Sequence, residues 1–127
     1  MENKSINSGQ APTPIGPYSQ AVLSGNTLFC SGQVALDHQS GKLQTENRTK
    51  ETHQVMKNLE AVLKEAGMTF SDVVKCSIFL KDMGDFQEVN AVYGSYFTST
   101  FPARETVQVA ALPLNVNVEI SLIAIKG

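Results

Sequence analysis

The chain has 127 residues, 42% hydrophobic and 17% charged, which suits one domain with enough apolar content for a real core. Ten Lys and Arg against twelve Asp and Glu leave a formal net charge of -2 with no basic run, so the phosphate contacts that dominate nucleic-acid affinity are missing. No hydrophobic run exceeds four residues and Met1 to Asn7 has no apolar core, which predicts no transmembrane helix, no secretory signal and a cytoplasmic location.

Residues 1–17 hold Asn7, Ser8, Gly9, Pro12, Pro14, Gly16 and Pro17 and read as an N-terminal arm or loop of a single domain, 1–127. Tyr18 to Ser24 and Thr27 to Ser31 are short apolar runs around Gly25-Asn26, a hairpin signal, with Val34 to Leu36 as an extension of the second. From Glu46 to Ala66 the period becomes helical: Val55, Met56, Leu59, Val62 and Leu63 share one face, and His53, Lys57, Glu60 and Lys64 the other. His53 therefore reads as solvated, as does Arg48, and Gly67 is placed to end the helix.

Val73 to Leu80 is β-branched and apolar, a strand, followed by a turn in which Asp82 or Asp85 can cap what comes next. Phe86, Val89, Val92, Tyr93, Tyr96 and Phe97 form a second helical stripe that Pro102 terminates. Strands are expected over Arg104 to Leu112 and Val116 to Ile125, around Pro113-Leu114-Asn115. The order ββ(β)αβαββ predicts an α+β layer, a mixed β-sheet with two helices on one face. Val118, Ile120, Leu122 and Ala124 alternate with Glu119, Ser121, Ile123 and Ile125, so the last strand is apolar on much of both faces. Two helices cover one face; the other is expected to pack against further copies of the chain.

Few residues can carry chemistry. Cys30 and Cys76 sit in apolar stretches and read as buried thiols. With two histidines, no CxxC and no glycine-rich phosphate loop, no metal or cofactor site is expected. Arg104 opens a largely apolar strand, and Glu119 is a lone carboxylate between Val118 and Ile120. Either the two form one structural ion pair, or Arg104 grips a substrate carboxylate while Glu119 handles protons. Tyr18, Ser31 and Asn90 are open in the same way, as packing and turn residues or as groups facing a pocket.

Ile15-Gly16-Pro17-Tyr18-Ser19-Gln20-Ala21, Ser31-Gly32-Gln33, Asn58-Leu59, Ala66-Gly67, Lys81-Asp82, Asp85-Phe86, Val89-Asn90, Tyr93, Phe101-Pro102-Ala103-Arg104 and Val118-Glu119-Ile120 resemble the reactive intermediate deaminase (RidA, YjgF) family from about Pro12 onward. The resemblance implies a chorismate-mutase-like fold, a homotrimer with clefts between subunits and no cofactor. It also implies hydrolysis of 2-iminopropanoate and 2-iminobutanoate to 2-oxo acids and ammonia. Carried over by motif, Arg104 binds the carboxylate, Glu119 positions or activates water, and Tyr18, Ser31 and Asn90 line the cleft.

Two positions depart from the pattern: Glu105 and Thr106 stand where many relatives carry a small residue and then Cys. Alternation sends Glu105 away from Arg104 and leaves Thr106, without a thiol, on the same face as the arginine. The loop before Phe101 is also short, which bears on cleft width. A different class of function remains, a non-catalytic module of the same fold that captures 2-oxo acids. The ribonuclease activity also claimed for the family fits poorly with a net charge of -2 and no histidine pair.

Overall fold

A computed structural model describes residues 2–127. Its elements are β1 (Asn3–Ile6), β2 (Ala21–Ser24), β3 (Thr27–Gln33), α1 (Arg48–Glu65), β4 (Val73–Leu80), α2 (Phe86–Gly94), β5 (Ala103–Gln108) and β6 (Val118–Ile125). One six-stranded sheet runs in the order β1-β2-β3-β6-β4-β5. Neighbours are antiparallel except β4 and β5, whose parallel pairing needs the crossover that α2 supplies. The architecture is the α+β layer that the pattern predicts. Among the described residues no helix is long and apolar enough to cross a membrane.

Helix α1 forms where its period and caps agree. Asn47 accepts from the Lys50 amide at 2.8 Å, and Val55, Met56, Leu59, Val62 and Leu63 are fully buried. Gly67 takes a φ of 72°, letting its own amide reach Lys64 O and the Met68 amide reach Leu63 O, both at 2.9 Å. Across the sheet, Leu28, Cys76, Ile78, Leu80, Ile120 and Leu122 join the same core.

Several expectations need correction; the strand expected over Arg104 to Leu112 ends at Gln108, and β3 ends at Gln33 without the extension to Leu36. The N-terminal arm contains strand β1, which pairs with β2 from Asn3↔Ser24 to Ile6↔Ala21 and buries Ile6. Behind it, the buried Gln20 side chain accepts from the Ser8 amide at 2.6 Å and donates to Pro12 O at 2.8 Å, so the arm is tied to the sheet. Helix α2 stops at Gly94, because glycine is a poor helix residue and the Ser95 hydroxyl bonds back to Val92 O at 2.6 Å. Tyr96 and Phe97 therefore lie beyond the helix, edge-on to Phe70. His53 is half-buried, its Nδ1 2.8 Å from the Tyr96 hydroxyl, since that turn folds over its face of α1.

Arg48 is not solvated either. Its side chain is 19% exposed and lies 3.4 Å from Glu51, which is itself wholly buried. Glu51 accepts from the Asn117 amide and side chain, each at 2.8 Å, and from the Val118 amide at 3.1 Å. This carboxylate fixes the start of β6 to the start of α1.

The connection into β6 is unusual. Leu114 and Asn115 have φ values of 57° and 56°, the left-handed region, which costs an L-residue about 1–2 kcal/mol. The turn is held by the Asn115 amide on Leu112 O at 3.1 Å and by Lys81 Nζ donating to Asn115 Oδ1 at 2.7 Å. Across the sheet from the helices, Phe29, Val107 and Ile125 are 49%, 40% and 42% exposed. The apolar second face read from β6 thus exists, uncovered by the chain's own elements.

Candidate functional site

Arg104 stands on β5, in register with Cys76 of β4, so it projects toward the helices beside a core residue. Phe86, Asn90 and Tyr93 lie on one face of α2 at helical spacing and receive it. Its NH1 donates to Asn90 Oδ1 at 2.6 Å, and its central carbon lies 5.1 Å from the Tyr93 ring centroid and 5.5 Å from that of Phe86. A guanidinium has five donors, and among the described residues no carboxylate comes within ion-pair distance of this one. The ion-pair alternative with Glu119 is therefore not the one the chain adopts. A depression of about 450 Å³ opens here between Asn90, Tyr93, Phe101, Pro102 and Arg104.

Thr106 shares the face of Arg104, and its Oγ1 is buried without a hydrogen-bond partner. The Tyr93 hydroxyl is likewise buried with no well-formed bond, beside the Cys76 thiol. Burial, then that thiol, pushes the Tyr93 phenol well above its ordinary range. Burial also raises Cys76, and pushes Cys30 up to about 12, with a smaller contribution from Cys76. Both thiols are free, buried and protonated at neutral pH, poor nucleophiles. Glu105 points the other way, as alternation requires, and bonds Lys75 Nζ at 2.8 Å and the Ser77 hydroxyl.

Glu119 on β6 is in register with Phe79, whereas its neighbours Val118 and Ile120 pair with Leu80 and Ile78 in the core. It therefore leaves the sheet on the face opposite Arg104. Its carboxylate lies over Gly32, in the bulge between Cys30 and Gln33 of β3; a Cβ there would stand 2.6 Å from Oε2. Burial alone raises the Glu119 pKa above its ordinary value, with no charge or hydrogen bond contributing. Around it, a cavity of about 400 Å³ is lined by Ile15, Tyr18, Ser31, Leu36 and Leu114. Tyr18 is half exposed, and the Ser31 hydroxyl donates to Ser19 O at 2.7 Å.

The residues singled out from sequence thus fall into two groups. Asn90, Arg104 and Thr106 share the helix face; Tyr18, Ser31 and Glu119 gather on the open face. One chain does not bring them together. Phe86 and Tyr93, which cradle the guanidinium, and Gly32, which admits the carboxylate, went unnoticed as site residues. The i, i+4, i+7 spacing of Phe86, Asn90 and Tyr93 was the available signal. Among the described residues no three His, Cys, Asp or Glu side chains converge as metal ligands.

Residues 8–126 match the Endoribonuclease L-PSP family. The chain is 51% identical to Protein DfrA of Myxococcus xanthus, over 99% of this chain and 98% of that one. It is 47% identical to the human 2-iminobutanoate/2-iminopropanoate deaminase, over 96% and 89% of the two chains. A crystal structure of the Rid-family protein YyfA from Yersinia pestis superposes with a TM-score of 0.96 at 41% identity, covering 98% of this chain and 100% of that one. With the sequence motifs, the sheet topology and these likenesses in agreement, the chain belongs to the RidA (YjgF, L-PSP) family.

Proposed function

We propose that the protein hydrolyses small 2-imino acids, such as 2-iminopropanoate and 2-iminobutanoate, to 2-oxo acids and ammonia in clefts between copies of the chain. The observation that carries this reading is the pair of incomplete half-sites on opposite sheet faces. One offers an arginine without a carboxylate, the other a desolvated carboxylate without a cation. A second copy against the open face, in a homotrimer, would bring one subunit's Arg104 beside another's Glu119 and cover the exposed Phe29, Val107 and Ile125. The 2-iminobutanoate/2-iminopropanoate deaminase activity named for the human relative is the same chemistry.

In this mechanism the guanidinium holds the substrate carboxylate in a planar fork, with Asn90 fixing its own orientation and Thr106 behind it on the same face, its hydroxyl a further donor only if the cleft opens to it. Glu119, with Tyr18 and Ser31 beside it, takes a proton from water as the oxygen attacks the C=N carbon. The carbinolamine forms, the same carboxyl returns the proton to nitrogen, and ammonia leaves as the C–N bond breaks and the hydroxyl proton passes back to Glu119 and on to the departing ammonia. The balance is R–C(=NH2+)–COO− plus H2O giving R–CO–COO− plus NH4+. A carboxyl raised by burial exchanges protons closer to neutrality than an ordinary one. Each group required is a side chain of this protein.

The test is 2-oxo acid release from 2-iminopropanoate made in place by an amino-acid oxidase, with semicarbazide competing for the imine. Wild type is expected to accelerate release, Arg104→Ala to lose it, and Glu119→Gln to lose turnover while still binding pyruvate. Equal rates for wild type and buffer would overturn the deaminase reading. Pyruvate binding that depends on Arg104 would then favour a carboxylate-binding module, since gripping a carboxylate requires the arginine and no acid/base group.

A further inference from the structure

We infer that Leu114 is a specificity-determining wall that selects 2-imino acids with uncharged aliphatic side chains of about leucine size; this rests on the deaminase reading of the same cleft. The left-handed region suits glycine and tolerates asparagine, as at Asn115, but a leucine there is under strain. Such strain persists where the surroundings over-determine the backbone, and it gathers at functional sites. Here the surroundings are explicit. Lys81 holds Asn115, the Lys81 amide donates to Asn117 O at 3.0 Å, and Glu51 holds the Asn117 side chain.

What this brace secures is the position of one side chain. Leu114 is 50% exposed, so it contributes little to the core, yet it lines the cavity that contains Glu119. Ile15, Tyr18, Leu36 and Pro113 complete its apolar part, uncharged polar groups such as Thr13 and Gln33 line the rest, and among the described residues Glu119 is the only charge in that lining. A substrate whose carboxylate is on the arginine and whose imine carbon faces Glu119 has only its side chain left to meet this wall. An aliphatic group gains contact there, whereas an acidic one meets the Glu119 carboxylate while Arg104 is already taken by the substrate's own carboxylate.

The experiment compares kcat/KM for imines generated from alanine, leucine and glutamate by oxidases acting on each, using wild type, Leu114→Gly and Leu114→Asn. Both replacements suit the left-handed backbone, so their thermal midpoints should not fall below wild type. The leucine-to-alanine ratio is expected to drop about tenfold or more in both variants, the low end of what one lost methylene contact is worth, and the glutamate imine to be the poorest wild-type substrate. A ratio unchanged within about twofold would overturn the inference. Affinities of 4-methyl-2-oxopentanoate and pyruvate separate it from the deaminase reading. If wild type turned over no imine, the deaminase would fail, and a leucine-like preference erased by Leu114→Gly would still support the wall. Equal affinities in both proteins would overturn it.

Discussion

The chain has two arginines, and they lead opposite lives. Arg48 lies 3.4 Å from Glu51 and donates from NH2 to Thr45 O at 3.0 Å, although its buried Nε makes no well-formed hydrogen bond. The Glu51 carboxylate also takes two backbone amides and an asparagine side chain. Arg104 is stacked on rings and steadied by one amide, and Glu119, two strands away, is desolvated with nothing to compensate it. A charge that serves the fold is satisfied inside the fold. On the proposed reading, the charges that would meet a ligand are positioned and left open, at some cost in stability.

The sharpest way to break this contrast is at Glu51. Glu51→Ala should lose about 3–5 kcal/mol in urea unfolding, because Arg48 and the start of β6 lose their shared partner at once. At the open charges, activity should fall without comparable unfolding. Gly32→Ala would push its Cβ into the Glu119 carboxylate, and kcat/KM for 2-iminopropanoate should drop about tenfold or more while the thermal midpoint barely moves. A parallel loss of stability would mean that Gly32 serves the bulge rather than the carboxylate.

The smallest effect has a sign worth measuring. Burial raises the Glu119 pKa in the folded chain, so the stability linked to it is complete below the ordinary 4.5 and is lost as pH rises through the folded value. Glu119→Gln should therefore melt at or slightly above wild type at pH 7, with the difference vanishing below about pH 4. A variant that melts lower at pH 7 would show Glu119 to be a structural group like Glu51.

Much of this was legible in the sequence where local signals were redundant. Strand β4 runs from Val73 to Leu80 as read, and α1 lies inside its periodic segment between an asparagine cap and a glycine stop. Strand β1 was not legible, because Asn3, Lys4 and Ser5 are polar and the strand exists through backbone pairing with β2. Arg104 and Glu119 stood out as charges in apolar surroundings, but their relation did not. Arg104 aligns with residue 76 of β4 and Glu119 with residue 79, an odd separation that sends them to opposite faces. Register between strands distant in sequence leaves no local trace. Glu51 was missed for another reason: it falls four residues before Val55 on the buried stripe, a place where a carboxylate reads as an exception rather than an anchor.

The sheet order has a consequence for how the molecule comes into being. Strand β6 is the last of the six in chain order, yet it sits between β3 and β4. During synthesis, β1 to β3 and the β4–α2–β5 unit can each form early, and α1 can dock on α2 through Thr49 and Glu88, but β3 and β4 cannot share one sheet until β6 has cleared the ribosome. Until then β3 and β4 each present an unpaired edge, and the carboxylate that will anchor β6 waits on α1 for its amides. Closing the sheet therefore requires the insertion of a central strand that makes long-range contacts on both sides, the kind of step that slows a small domain and exposes it to aggregation.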